Sequence, residues 1–237
     1  MTMAQPMVVA SINSGTFNSR TVSTGTITSW TPQTNDIVVV LVQMPQAGTV
    51  TFTLPSGWAN LLGGTTVATS AGGSTMVAVW HTITQAEATA GTTAWTLTNL
   101  LDVSKQGSRL AFVVRGADPA SPVDISAAAG GQATGNTMTI PGITPTKNDC
   151  LVVAGGGGNS FSTSVTYTAP SSPWSTITGT LSGTNIRFAF KNATPTVAGT
   201  LVPSTSMAVS NSGDYWTAVI IAFSPAGLST GNFFAMF

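Results

Sequence analysis

Residues 37–42, Ile-Val-Val-Val-Leu-Val, form an unbroken apolar run rather than an alternating one. The run is β-branched and follows Thr31-Pro32-Gln33-Thr34-Asn35-Asp36, whose Pro fixes a backbone dihedral and whose Asn and Asp side chains close turns. This pattern predicts a turn leading into a strand buried on both faces. A short buried helix would show a similar run, but no helix cap precedes it. The pattern returns as Thr144-Pro145-Thr146-Lys147-Asn148-Asp149 followed by Cys150-Leu151-Val152-Val153, at an offset of 144 − 31 = 113 residues.

Further landmarks recur in the same order. Pro55-Ser56-Gly57-Trp58 corresponds to Pro170-Ser171-Ser172-Pro173-Trp174, Val77-Ala78-Val79 to Phe188-Ala189-Phe190, and Ala90-Gly91-Thr92 to Ala198-Gly199-Thr200. Residues 110–114 correspond to 217–221. The repeat predicts two units, 1–120 and 121–227, joined near Asp118-Pro119-Ala120-Ser121-Pro122, where two prolines oppose regular pairing. Predicted strands are 7–11, 21–28, 37–44, 50–53, 75–82, 94–98 and 109–114, then 123–127, 137–140, 150–154, 164–168, 185–191, 207–210 and 215–223. Gly155-Gly156-Gly157-Gly158 reads as a loop or bulge, and residues 84–89 as a turn at most. The expected fold class is all-β, as two tandem antiparallel β-sandwich units of jelly-roll or immunoglobulin-like form.

Composition narrows the function. Seven basic and seven acidic residues cancel, and the seven cations (Arg20, Lys105, Arg109, Arg115, Lys147, Arg187, Lys191) are scattered. Nucleic acid binding needs clustered cations, so it is set aside. No apolar run approaches the ~20 residues of a membrane helix, and no signal peptide is visible at the start. The one cysteine, Cys150, makes no intrachain disulfide and reads as a small buried hydrophobe at the position of Ile37. The one histidine, His81, lacks a nucleophile elbow nearby and reads as a strand-surface residue. The one glutamate, Glu87, has no facing carboxylate of the glycosidase kind, and Asp36 and Asp149 read as turn closers. No catalytic residue, metal site or cofactor is expected.

Two features point to interfaces. Val77 and Val79 should face the core, so by strand alternation Trp80 points the other way, toward a neighbour, a sugar or a covering segment. Trp58 and Trp174 read instead as aromatic plugs at the sandwich edges. Residues 228–237 form an apolar tail carrying Phe233, Phe234, Met236 and Phe237. Such a segment either folds back over the second unit or docks in an apolar groove on a neighbouring subunit, and the second is the expectation here.

Several of these motifs carry a resemblance. Asn35-Asp36 before an apolar strand, Pro55-Ser56-Gly57-Trp58, a strand ending Val79-Trp80, and the run from Phe112 through Arg115-Gly116-Ala117-Asp118-Pro119 to Asp124 resemble the β-sandwich modules of tailed-bacteriophage virion proteins of the minor tail type. Related stretches occur in secreted bacterial proteins. The second copy departs, with Ala222-Phe223-Ser224-Pro225 in place of the Arg-Gly-Ala-Asp-Pro stretch. The resemblance implies a non-enzymatic structural protein on the virion exterior, made in the host cytoplasm. Its implied partners are other copies of itself and other virion proteins. Capsid decoration or a head fibre is the near alternative, and a carbohydrate-binding module for a host-surface glycan is a second.

Overall fold

A computed structural model describes residues 5–13, 15–44, 52–62, 67–68, 74–101, 105–133, 136–159, 165–180, 182–183, 185–210 and 213–227. The first half contains β1 (Met7–Ile12), β2 (Thr16–Ser19), β3 (Val22–Ser23), β4 (Ile37–Met44), β5 (Trp58–Asn60), β6 (Val67–Ala68), β7 (Thr75–Thr82), α1 (Gln85–Ala90), β8 (Thr96–Leu97) and β9 (Lys105–Arg115). The second contains β10 (Val123–Gln132), β11 (Thr137–Ile140), β12 (Leu151–Asn159), β13 (Val165–Thr168), β14 (Trp174–Thr180), β15 (Ser182–Gly183), β16 (Asn185–Asn192), β17 (Thr205–Val209) and β18 (Tyr215–Phe223). The protein is thus almost all β, its strands paired antiparallel in several sheets.

Two large sheets dominate. The first has the order β1-β9-β4-β7-β5 and the second β10-β18-β12-β16-β14. The sequence landmarks of each half occupy the same places in these orders. Each large sheet is covered on its outer face by smaller pieces. On the first, Val38, Val40, Val77 and Val79 pack against Val22, Ile27, Ile83, Leu97 and Leu101. On the second, Val152, Ala154, Phe188 and Phe190 pack against Met138, Ile140, Tyr167 and Met207.

The inner faces pack on each other. Ile37, Val39, Leu41 and Phe112 from the first sheet share one buried layer with Leu151, Val153, Ile221 and Phe223 from the second. Phe112 and Phe223 meet edge to face with ring centroids 6.4 Å apart. This layer explains why residues 37–44 carry no alternation. Odd positions of β4 enter the shared layer, even positions enter the outer core, and all eight residues are buried. One buried polar link crosses the layer: Thr217 Oγ1 donates to Gln43 Oε1 (2.7 Å), and Gln43 Nε2 donates to Ser74 Oγ.

Several expectations need correction. Residues 155–158 are not a loop but lie within β12, paired on both sides. Their glycines let neighbours come close. A Cβ on Gly155 would lie 2.4 Å from Leu41 Cδ1, and one on Gly156 2.3 Å from the Thr217 carbonyl oxygen. Residues 85–90 form a true helix, because Thr84 and Glu87 make a reciprocal capping box and Gly91 closes the end in the left-handed conformation (φ 65°). Strands 21–28 and 94–98 shorten to the β3–β8 pair, and most of 50–53 lies outside the described residues.

The register of the copies also differs from the motif alignment. Val38 and Val152 occupy like places, one pairing with Val113 and His81, the other with Ala222 and Asn192. The structural offset is therefore 152 − 38 = 114, so Asn35 matches Asp149 and Asp36 matches Cys150. Asn35 and Asp149 are the residues with positive φ, 72° and 57°. A slip of one exchanges the two faces of a strand, so Cys150 belongs to the outer core with Val152, not to the shared layer with Ile37. In the last strand Phe112 matches Ile221 (221 − 112 = 109), two residues from the motif alignment, and a slip of two preserves the facing.

Candidate functional site

His81 is not a surface residue. It is 8% exposed, near the end of β7, because Trp58 stacks on its ring at 5.2 Å and α1 brings Glu87 against it. The Glu87 carboxylate accepts from His81 Nε2 at 2.9 Å, from Trp95 Nε1 at 2.9 Å and from the Thr84 backbone N–H at 2.8 Å. Burial alone would raise its pKa, but the hydrogen bonds from Thr84, Trp95 and His81 outweigh this and hold it at about 2. His81 Nδ1 lies 2.8 Å from the Gly57 carbonyl. Both ring nitrogens therefore face oxygen acceptors, an arrangement that a doubly protonated ring satisfies in full and a neutral ring by half. The His–Glu pair and the Trp58 stack thus tie α1, β5 and β7 together.

Asp36 forms a second polar knot. It is 2% exposed, and Arg115 grips it with two parallel bonds, Nε to Oδ1 at 2.8 Å and a terminal nitrogen to Oδ2 at 2.7 Å. The Gln33 N–H donates to the same carboxylate at 3.0 Å, so the turn-closing role of Asp36 is observed directly. The Asp36 contact raises the Arg115 pKa above its ordinary value. In the second half Cys150 stands at the place of Asp36, and the carboxylate comes instead from Asp124 on β10, which accepts the Thr146 N–H at 2.6 Å. Cys150 is fully buried, and burial pushes its thiol pKa up, away from a reactive thiolate.

Among the described residues the surface holds a candidate binding feature that the sequence reading did not single out. Beside β14, the loop from Thr194 to Pro203 lines a groove of about 270 Å³ together with Pro173 and Trp174. Pro173, Trp174, Pro195, Val197, Leu201 and Pro203 line it, with no charged side chain. Val197 and Leu201 are 60% and 62% exposed, which is unusual for large apolar side chains next to a tryptophan. The legible signal was a loop with two prolines and three apolar residues where a solvated loop would be polar.

Among the sequence-predicted interface residues, Trp80 lies on the face opposite Val77 and Val79. It is half-buried against the edge of the layer shared by the two large sheets. Trp58 and Trp174 each pack against the outer core of their own half. Phe233, Phe234, Met236 and Phe237 lie outside the described residues. Among the described residues no three His, Cys, Asp or Glu side chains converge as a metal site, and no helix is long and apolar enough to cross a membrane. No protein-family model, curated protein or solved structure matches the chain.

Proposed function

We propose that the chain is a non-enzymatic structural protein of a tailed-bacteriophage virion, of the minor tail type, built as two tandem β-sandwich units fused through their large sheets. The observation that carries this reading is the pair of large sheets with like strand order, locked together by a shared, mainly apolar layer. Such a slab suits mechanical and assembly roles. The resemblance of the Asn-Asp, Pro-Ser-Gly-Trp and Val-Trp motifs supplies the virion context. The occupied nitrogens of His81 and the low charge of the surface support a non-catalytic role.

Purified particles of a phage encoding the chain supply the test. The protein should be found in them by mass spectrometry, and labelled antibody should decorate the tail in electron micrographs. Label on the head would move the reading to capsid decoration or a head fibre. Absence from the particles would overturn it. Selective binding on a glycan array would favour the carbohydrate-binding alternative.

A further inference from the structure

We infer that the apolar groove beside β14 is the docking site of the chain's own 228–237 segment, whose Phe233, Phe234, Met236 and Phe237 fill it intramolecularly. Three observations converge. The groove is lined by proline, valine, leucine and tryptophan without a charge, and the segment Leu228-Ser229-Thr230-Gly231-Asn232-Phe233-Phe234-Ala235-Met236-Phe237 carries no charged side chain. At about 270 Å³ the groove falls just below the ~300 Å³ at which small-molecule pockets begin, a size suited to a few peptide side chains.

Reach is the second observation, and it selects the source. Trp174 pairs with Asn192, Asn192 with Val152, and Val152 with Ala222, so the groove lies in the same cross-strand row as the end of β18. Three strand spacings of ~4.8 Å put Trp174 roughly 14 Å across the sheet from Ala222. Beyond β18 the chain is held to Ala226, whose N–H donates to the Gly116 carbonyl at 2.8 Å. Leu228 to Asn232 then add up to ~17 Å of chain when extended, a length of the same order as that crossing.

The third is the strength of tethering. Tethering through a short link gives an effective concentration in the mM range, so docking within the chain outcompetes the same contact from a second copy at ordinary concentrations. The docked segment would cover Val197 and Leu201, the two exposed apolar side chains of the groove loop. This docking is independent of a virion role, and each can fail without the other.

Hydrogen–deuterium exchange on the full chain tests it, with Leu201→Asp and Phe234→Asp as single variants. Leu201 is 62% exposed, so its replacement leaves the core intact, and Val197→Asp repeats the test from a second position. In the parent chain, amides of 233–237 and of the groove loop should exchange at least about tenfold more slowly than in an unstructured chain. Leu201→Asp should abolish protection of 233–237, and Phe234→Asp should lower that of 194–203. Protection should survive about hundredfold dilution, with sedimentation as a monomer. Unprotected 233–237 in the parent, protection unaffected by both groove variants, or protection lost on dilution together with a dimer would each overturn the assignment.

Discussion

Replacing Glu87 by Gln removes one charge from the most heavily bonded carboxylate of the first half while keeping its shape. Gln also supports a capping box, so helix α1 should keep its N-terminal bond to Thr84. What is lost is the negative charge facing His81 and Trp95. The Glu87 pKa falls from 4.5 to about 2 on folding. At ~1.36 kcal/mol per unit this corresponds to about 3 kcal/mol of stabilisation. Because the side chain is 24% exposed, solvent screening reduces the expected effect to about 2 kcal/mol. A depressed pKa means that folding favours the charged form. The contribution is therefore complete above about pH 4.5 and disappears as pH falls toward 2, with more than half gone by about pH 3. Parent and Glu87→Gln chains should thus differ by roughly 4–8 °C in Tm at pH 7 and converge in acid. Calorimetry from pH 7 to pH 2.5 reads both quantities. A Tm difference that stays constant across this range would refute the reasoning, because it would mean that shape or capping, not charge, holds the site.

Other substitutions probe the packing. Gly156→Ala should cost about 1–3 kcal/mol, since the new Cβ meets backbone atoms of β18, whereas Gly131→Ala, with nothing within 4 Å, should be near neutral; chemical denaturation of the two compares them directly. Phe112→Ala should cost about 3–5 kcal/mol, and because Phe112 touches Phe223 across the shared layer, both halves should still melt together in calorimetry, at a lower temperature. Arg115→Met should cost about 3–5 kcal/mol by leaving the Asp36 carboxylate buried without its partner, and adding Asp36→Asn should recover part of that loss in denaturant titrations.

Local chemistry made much of the fold legible. The β-branched run of β4, its turn-forming approach and the ordered landmarks of the two halves predicted an antiparallel, all-β chain. The continuous run even announced a strand covered on both faces, since no polar face was left for solvent. The α1 helix was equally open to reading, because Thr84 and Glu87 stand at capping-box spacing, but six residues without an apolar stripe look like a turn. Tertiary structure decided the rest through contacts between distant residues. Asn-Asp identities align the copies at 113, but backbone geometry aligns them at 114, because the positive-φ residue leading into the strand is Asn in one copy and Asp in the other. Four consecutive glycines suggest a loop until Leu41 from the facing sheet requires the space above one of them. Burial of His81 depends on Trp58 and Glu87, which arrive from other elements. The groove exists only because the loop after β16 stands against the start of β14. Alternation and turn residues act within a few positions of the chain and so determined strands and their faces. What covers each face depends on which sheets meet, and only the folded packing settled that.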